Sequence, residues 1–333
     1  MSNPSRYRTE MEKDSPMRPM RIVSLLPAAT EIVGALGLMD SLVGVSHECD
    51  YPATANEKPR VTHCAIHQAG LPSAEVDRWV RETLAATGSL YTLNEALLRG
   101  LRPEVIVTQR LCDVCAVGYG SVAAFARSLP EPPQVVNLEP AGLADILEDI
   151  RKVAAALGVA ERGEAVVSAL QTRIEQVRAR AAKTSDRLRC FLMEWIDPPF
   201  CSGHWGPELV EMAGGEEILG KKGEASRRIL WESVREAQPE VLVIACCGCS
   251  VARTLDDLPR LQRAAGWEGL PAVRSGRVYV VDGSAYFSRP GPRIVDSLEI
   301  LAACLHPAQF PEARARYPDA VVRIAAGGQV AAW

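Results

Sequence analysis

Five cysteines in two short motifs are the most chemically suggestive residues of this sequence. Cys112 and Cys115 form a C-x-x-C, and Cys246, Cys247 and Cys249 form C-C-G-C. The C-x-x-C spacing lets both thiolates reach one metal ion or close a reactive disulfide; two unligated thiols in a loop are the plain alternative. Four thiolates, from Cys112, Cys115, Cys247 and Cys249, could make a tetrahedral zinc site or hold an iron–sulfur cluster, with Cys49 as a further ligand. Cys246 continues an apolar run and reads as buried strand. Cys190 and Cys304 also sit in apolar runs and read as small core hydrophobes.

Nitrogen, oxygen and aromatic groups form a second set. His47, Glu48 and Asp50 belong to one polar run, H-E-C-D-Y-P. A neutral His47 imidazole can serve as a metal or corrinoid axial ligand, whereas Asp50 before Pro52 suits a turn-capping, structural role. Glu194 and Trp195 end an apolar run, and His204 and Trp205 follow shortly after. Two indoles beside a histidine suit the flat apolar face of a macrocycle or chelate; packing under the loop is the alternative. Tyr286 and Arg289 precede P-G-P and read as a cleft rim, with Arg289 facing an anionic ligand group or a surface carboxylate. Gln109 ends another apolar run. His63 and His67, flanking Cys64, read as a surface loop.

The elements that must position these groups alternate between strand and helix. Residues 21–26 are a short apolar run, followed by a helical pattern over 31–38 with Thr30 as N-cap and Gly37 near its end. A second strand, 42–45, delivers the polar run at 47–52. Helix 92–101 leads into strand 103–108, which ends at Gln109 and the C-x-x-C loop. The same grammar returns as helix 229–237, strand 239–244 and the C-C-G-C loop, so the chain reads as an internal repeat with matched cysteine loops. In open α/β sheets, ligands bind at the carboxyl ends of the strands. Between the halves lies a helical stretch over 142–183, broken at Gly158. Its second part, about 20 residues and about 30 Å long, reads as a stiff strut that permits small closure rather than wide swinging.

With 333 residues, 47% of them hydrophobic and 23% charged, the chain is expected to fold as two α/β lobes. The expected divisions are a disordered tail at 1–20, a first lobe at 21–141, linking helices at 142–184, a second lobe at 185–306 and a C-terminal extension at 307–333. A formal net charge of −4, without a Lys/Arg run, argues against nucleic acid as a partner. Residues 1–20 hold no apolar signal region and no run of 18 apolar residues occurs, so the reading is cytoplasmic in preference to periplasmic, with no membrane insertion. No nucleophile elbow, Walker loop, zinc-hydrolase helix or Gly-x-Gly-x-x-Gly stands in the sequence, which leaves catalysis little support.

Taken in order, R-I-V-S-L-L-P-A-A-T-E-I-V-G-A-L-G, G-V-S-H-E-C-D-Y-P, R-P-E-V-I-V, Q-P-E-V-L-V-I-A and G-R-V-Y-V-V-D-G-S-A-Y-F-S-R-P-G-P resemble the substrate-binding proteins of cobalamin and iron-chelate ABC importers. The resemblance covers most of the chain. It implies two Rossmann-like lobes joined by one long rigid helix, with a ligand cleft between them and aromatic side chains holding a cobalamin or haem-like ligand. The first functional reading is therefore a binding protein for a cobalamin-like corrinoid or metal chelate, gripped by Trp195, Trp205, His47 and Tyr286. An ABC transporter or a cytosolic metal- or cobalamin-using enzyme would be its partner. The second is a metal or iron–sulfur protein whose cysteine-ligated centre bridges the lobes. A third has the thiols performing redox chemistry on a bound cofactor.

Overall fold

The computed structural model describes residues 20–64, 70–111, 116–184 and 187–333. The first lobe runs β1 (Ile22–Ser24), α1 (Pro27–Ala35), β2 (Leu42–Val45), β3 (Thr62–Cys64), α2 (Ser73–Thr87), β4 (Tyr91–Leu93), α3 (Glu95–Leu101), β5 (Val105–Gln109), α4 (Tyr119–Arg127) and β6 (Gln134–Leu138). Its sheet has the order β2-β1-β5-β6, and every pairing is parallel. β3 and β4 form a separate antiparallel pair. Parallel strands covered on both faces are expected to be continuously apolar. β5 is such a strand, buried from Val105 through Gln109.

Two helices, α5 (Leu143–Ala156) and α6 (Ala160–Ala181), carry the chain into the second lobe. Gly158, at φ +70°, makes the turn between them in a left-handed conformation that favours glycine. The 22 residues of α6 span about 33 Å. Val167, Leu170, Ile174 and Val177 recur at spacings of three and four and are buried, so one stripe of α6 packs inward.

The second lobe runs β7 (Leu188–Trp195), β8 (Phe200–Cys201), α7 (Gly206–Met212), β9 (Gly215–Glu217), β10 (Arg227–Arg228), α8 (Trp231–Ala237), β11 (Val241–Ile244), α9 (Val251–Gln262), α10 (Pro271–Arg274), β12 (Val278–Val281), α11 (Ile294–Leu305), α12 (Glu312–Arg316), β13 (Val321–Ile324) and β14 (Val330–Ala332). Its sheet follows β10-β8-β7-β11-β12-β13-β14, with β9 pairing with β7. The centre is parallel, β7 to β11 to β12, and antiparallel strands flank it. The C-terminal stretch, set apart as an extension on sequence, thus supplies α12 and the last two strands of this sheet. Both lobes are α/β, and one continuous apolar core joins them, from Ile32 of α1 through Ile146 and Ile174 to Leu298 of α11.

Two local expectations are corrected. Thr30 does not cap α1; the helix begins three residues earlier at Pro27, whose fixed φ and missing N–H suit a first helical position. The Thr30 hydroxyl instead meets Ser24 Oγ at 2.8 Å and Cys49 Sγ at 3.1 Å. The helix expected over 92–101 divides into β4 and α3, because the Asn94 side chain accepts the Leu97 N–H and starts the helix there.

Candidate functional site

The loops at the carboxyl ends of β2, β11 and β12 meet at a cavity of about 360 Å³. Asp50 reaches it from the first lobe. Gly248, Ser250, Arg253, Asp282, Ser284 and Ala285 line it from the second. The cavity thus lies at strand carboxyl ends of both lobes, the edge at which open α/β sheets bind ligands.

Each loop has an identifiable brace. The turn after β2 is closed by the Cys49 N–H donating to Ser46 O at 3.2 Å, and Arg60 Nη1 donates to the carbonyls of Ser46 and Cys49. After β11, the Ser250 hydroxyl caps α9 by accepting the Arg253 N–H at 3.3 Å. After β12, Asp282 Oδ1 accepts the Ala285 N–H at 2.7 Å and starts a single wide turn, Gly283–Phe287. Gly283 is required there: a Cβ would lie 2.1 Å from the Cys246 carbonyl oxygen, so the β11 and β12 loops pack backbone to backbone.

Two polar seams cross between the lobes, and each contributes one residue to the cavity wall. In the first, Arg293 binds Glu31 of α1 through two hydrogen bonds, Nε to Oε2 at 3.0 Å and Nη2 to Oε1 at 2.6 Å. Arg289 Nη1 lies 3.4 Å from Glu31 Oε1, and Arg289 also pairs with both oxygens of Asp50, with Nη2 to Oδ2 at 3.1 Å. The Arg293 guanidinium stands 3.9 Å from the centre of the Tyr51 ring. In the second seam, Asp257 Oδ2 accepts the Ser73 N–H at 2.9 Å, so a carboxylate of the second lobe caps α2 of the first. Arg253 pairs with the same Asp257 oxygen at 3.0 Å and donates to Leu71 O. Trp195 Nε1 donates to Ser73 O at 3.2 Å.

Burial sets the protonation tendencies. Burial pushes the Glu31 carboxyl up, and its two arginine partners offset only part of that. At Asp50 burial also opposes ionisation, yet the Arg289 pair with help from Arg293 outweighs it, and the pKa falls. Burial raises Asp282, against the Ala285 N–H and the more distant arginines 289 and 293. Burial also raises Glu48, whose Oε1 lies 3.5 Å from Tyr91 Oη.

The residues expected to bind ligand take the following places relative to this cavity. His47 does not line the cavity; its Nδ1 is 2.7 Å from Thr62 Oγ1, its ring packs near Tyr91, and burial lowers its pKa. Asp50, expected to be structural, is the first lobe's contribution to the wall. Trp195 is engaged in the seam. Trp205 donates Nε1 to Phe287 O at 3.0 Å, packs against the main core and is stacked by His204, whose pKa burial lowers. Glu194 accepts from Gly203 N–H at 3.2 Å and from the Ser226 hydroxyl, holding the 201–205 loop. Tyr286 packs edge-on to Tyr317, and Gln109 is buried at the end of β5. Arg289 meets carboxylates of its own chain, one of the two alternatives considered for it.

The cysteine centre finds no support. Cys112 and Cys115 lie outside the described residues, and among the described residues no group of three or more His, Cys, Asp or Glu is placed to hold a metal ion. Cys247 is exposed, whereas Cys49 and Cys249 are buried, and burial pushes both thiols up to about 11. In the metal-free protein, burial of Cys49 and Cys249 disfavours the thiolate form that metal ligation or thiol redox chemistry uses. Asp282, Ser250, Arg253 and Ser284 were missed on sequence. Asp282 had a usable signal, since it directly follows the apolar run V-Y-V-V of β12.

Residues 22–285 match the family model described as "Periplasmic binding protein". The vitamin B12-binding protein of Vibrio cholerae is 25% identical over 299 residues, covering 87% of this chain and 90% of that one. The uncharacterized ABC transporter substrate-binding lipoprotein YvrC of Bacillus subtilis is 23% identical over 303 residues, covering 88% and 82%. Among solved structures, a periplasmic heme-binding protein from Pseudomonas aeruginosa superposes with a TM-score of 0.66 at 21% identity, over 87% of this chain and 94% of that one. The vitamin B12-binding protein BtuF of Vibrio cholerae gives 0.62 at 24% identity, over 87% and 97%. These two structures share the two-lobed fold, and the family model spans well over half of the sequence: the chain belongs to the periplasmic binding protein family.

Proposed function

We propose that this protein is a substrate-binding protein that captures a metal chelate or cobalamin-like corrinoid between its lobes and delivers it to an ABC transporter. The observation that carries the reading is the cavity itself, with one wall from the end of β2 and the other from the ends of β11 and β12. The relatives named above for vitamin B12 and heme support the ligand class. At about 360 Å³ the cavity lies near the lower end of the roughly 300–1,000 Å³ usual for small-molecule sites. A compact chelate fills that space, whereas a whole corrinoid needs the lobes further apart. Between the two, the geometry favours the chelate.

Equilibrium dialysis against cyanocobalamin, hemin and ferrichrome tests this. One ligand is expected to be retained at one per chain with micromolar or tighter affinity, and to be lost in Ser284→Trp, which fills the crevice. Retention of none of the three, or retention unchanged by the blocking variant, would remove the proposal.

A further inference from the structure

We propose that Asp282 selects the charge of the ligand, so that the cleft admits a compact hydrophilic ligand presenting a cationic or hydrogen-bond-donating face and rejects an anionic one. The inference rests on the cleft being the ligand site, and adds to it the class of ligand.

Among the described residues, the wall of the cavity contains two carboxylates, two hydroxyls, one guanidinium and no aromatic ring. Most of these groups are already engaged. Arg253 is paired with Asp257 and spans to Leu71 O, so its charge is balanced within the protein. Asp50 is paired with Arg289, which in turn sits against Glu31. The Ser250 hydroxyl caps α9, and the Ser284 hydroxyl accepts weakly from Arg289 Nη2 at 3.4 Å. Arg253 Nε is also without a hydrogen-bond partner among the described residues, but Asp282 differs in that its charge has no ion-pair partner there. Only its Oδ1 is used, by the Ala285 N–H, and no cation lies within ion-pairing distance of it among the described residues. A half-buried carboxylate that lines a crevice, with Arg289 and Arg293 acting on it only from beyond ion-pairing distance, has capacity left for positive charge or donors. Trp195, Trp205 and Tyr286, which would otherwise present a flat apolar face, point their hydrogen bonds and packing elsewhere.

The bland account of Asp282 is that it merely caps the turn after β12. Asparagine separates the two roles, because it caps nearly as well as aspartate but carries no charge. The probes are two inert or tightly held metal complexes of opposite sign, hexaamminecobalt(III), a trication bearing only N–H donors, and ferric EDTA, an anion, with neutral cyanocobalamin alongside. Binding is measured by calorimetry at about 150 mM salt, where long-range attraction to the chain's overall charge is screened. Glu175→Gln, an exposed position on α6 that is not part of the cavity wall, makes the same change in net charge.

The expected result is one hexaamminecobalt per chain, bound at least about 10-fold more weakly by Asp282→Asn and unchanged by Glu175→Gln, with an unchanged melting temperature and no binding of ferric EDTA. Tighter binding of ferric EDTA than of the trication, or equal effects of the two variants, would overturn the inference. If cyanocobalamin binds and Asp282→Asn does not affect it, the cleft is a ligand site but charge selection by Asp282 is wrong. If the wild type binds none of the three, the ligand-binding reading fails, and this inference with it.

Discussion

Glu31→Ala is expected to destabilise the protein by roughly 3–5 kcal/mol, the usual cost of removing one partner from a buried ion pair. Glu31 is 1% exposed and stands between two arginines, themselves 14% and 6% exposed, on the opposite lobe. Without it, Arg293 loses both of its carboxylate hydrogen bonds and keeps the Tyr51 and Tyr286 rings and the more distant Asp50 and Asp282 as neighbours of its charge, while Arg289 keeps its pair with Asp50. Urea unfolding at pH 7 measures the loss. The companion variant Glu31→Ala with Arg293→Met removes the stranded charge as well, and is expected to recover a large part of the stability, because two apolar groups can replace a buried pair at little cost. A loss below about 1 kcal/mol for the single variant would show that this seam between the lobes does not hold in solution.

The second large effect concerns pH. Asp149, on the buried side of α5, is pushed up to about 7 by burial, with Asp145, Glu139 and Glu148 adding to the rise and only Lys152 opposing it. Among the described residues its Oδ2 has no hydrogen-bond partner. In the unfolded chain the same carboxyl titrates at 3.8, the ordinary value for aspartate. Between these two values the folded state binds more protons than the unfolded state, so stability falls as pH rises through this window and levels off above it. From pH 5 to pH 8 the loss from this group is on the order of 2–3 kcal/mol. Asp149→Asn cannot ionise, so the variant is expected to lack that component and to be the more stable protein at pH 8. Urea unfolding of both proteins at pH 5 and pH 8 checks it; identical pH dependence would show that Asp149 titrates normally.

Much of the architecture was readable before any coordinates. The apolar runs at 105–107 and 241–244 announced parallel strands because strands covered on both faces have no polar side to show. The period of three and four through Val167, Leu170, Ile174 and Val177 announced the long connecting helix, and Gly158 its start. Errors arose where a local signal had a rival. Thr30 looked like an N-cap, but Pro27 starts the helix without needing one. The metal reading of the cysteine loops is a different case, since spacing says nothing about burial: Cys49 and Cys249 turn inward, Cys247 is exposed, and Cys112 and Cys115 lie outside the described residues.

The crevice shows the same division. Which strand ends face the crevice follows from element order, since parallel strands joined by helices must all deliver their loops to one edge. Residue order alone thus located the region of Asp50, of residues 245–250 and of the segment after β12. Which side chains in that region reach the cavity depends on how the lobes approach each other. Trp195 is claimed by Ser73 of the other lobe, Arg289 by Asp50 and Glu31, and Trp205 by Phe287, whereas Asp282 is left with an oxygen to spare. Those partners are 82 to 258 residues away along the chain for Trp195, Trp205 and Arg289. Such contacts leave no local pattern, because hydrogen bonding and burial depend on distance in space rather than along the sequence.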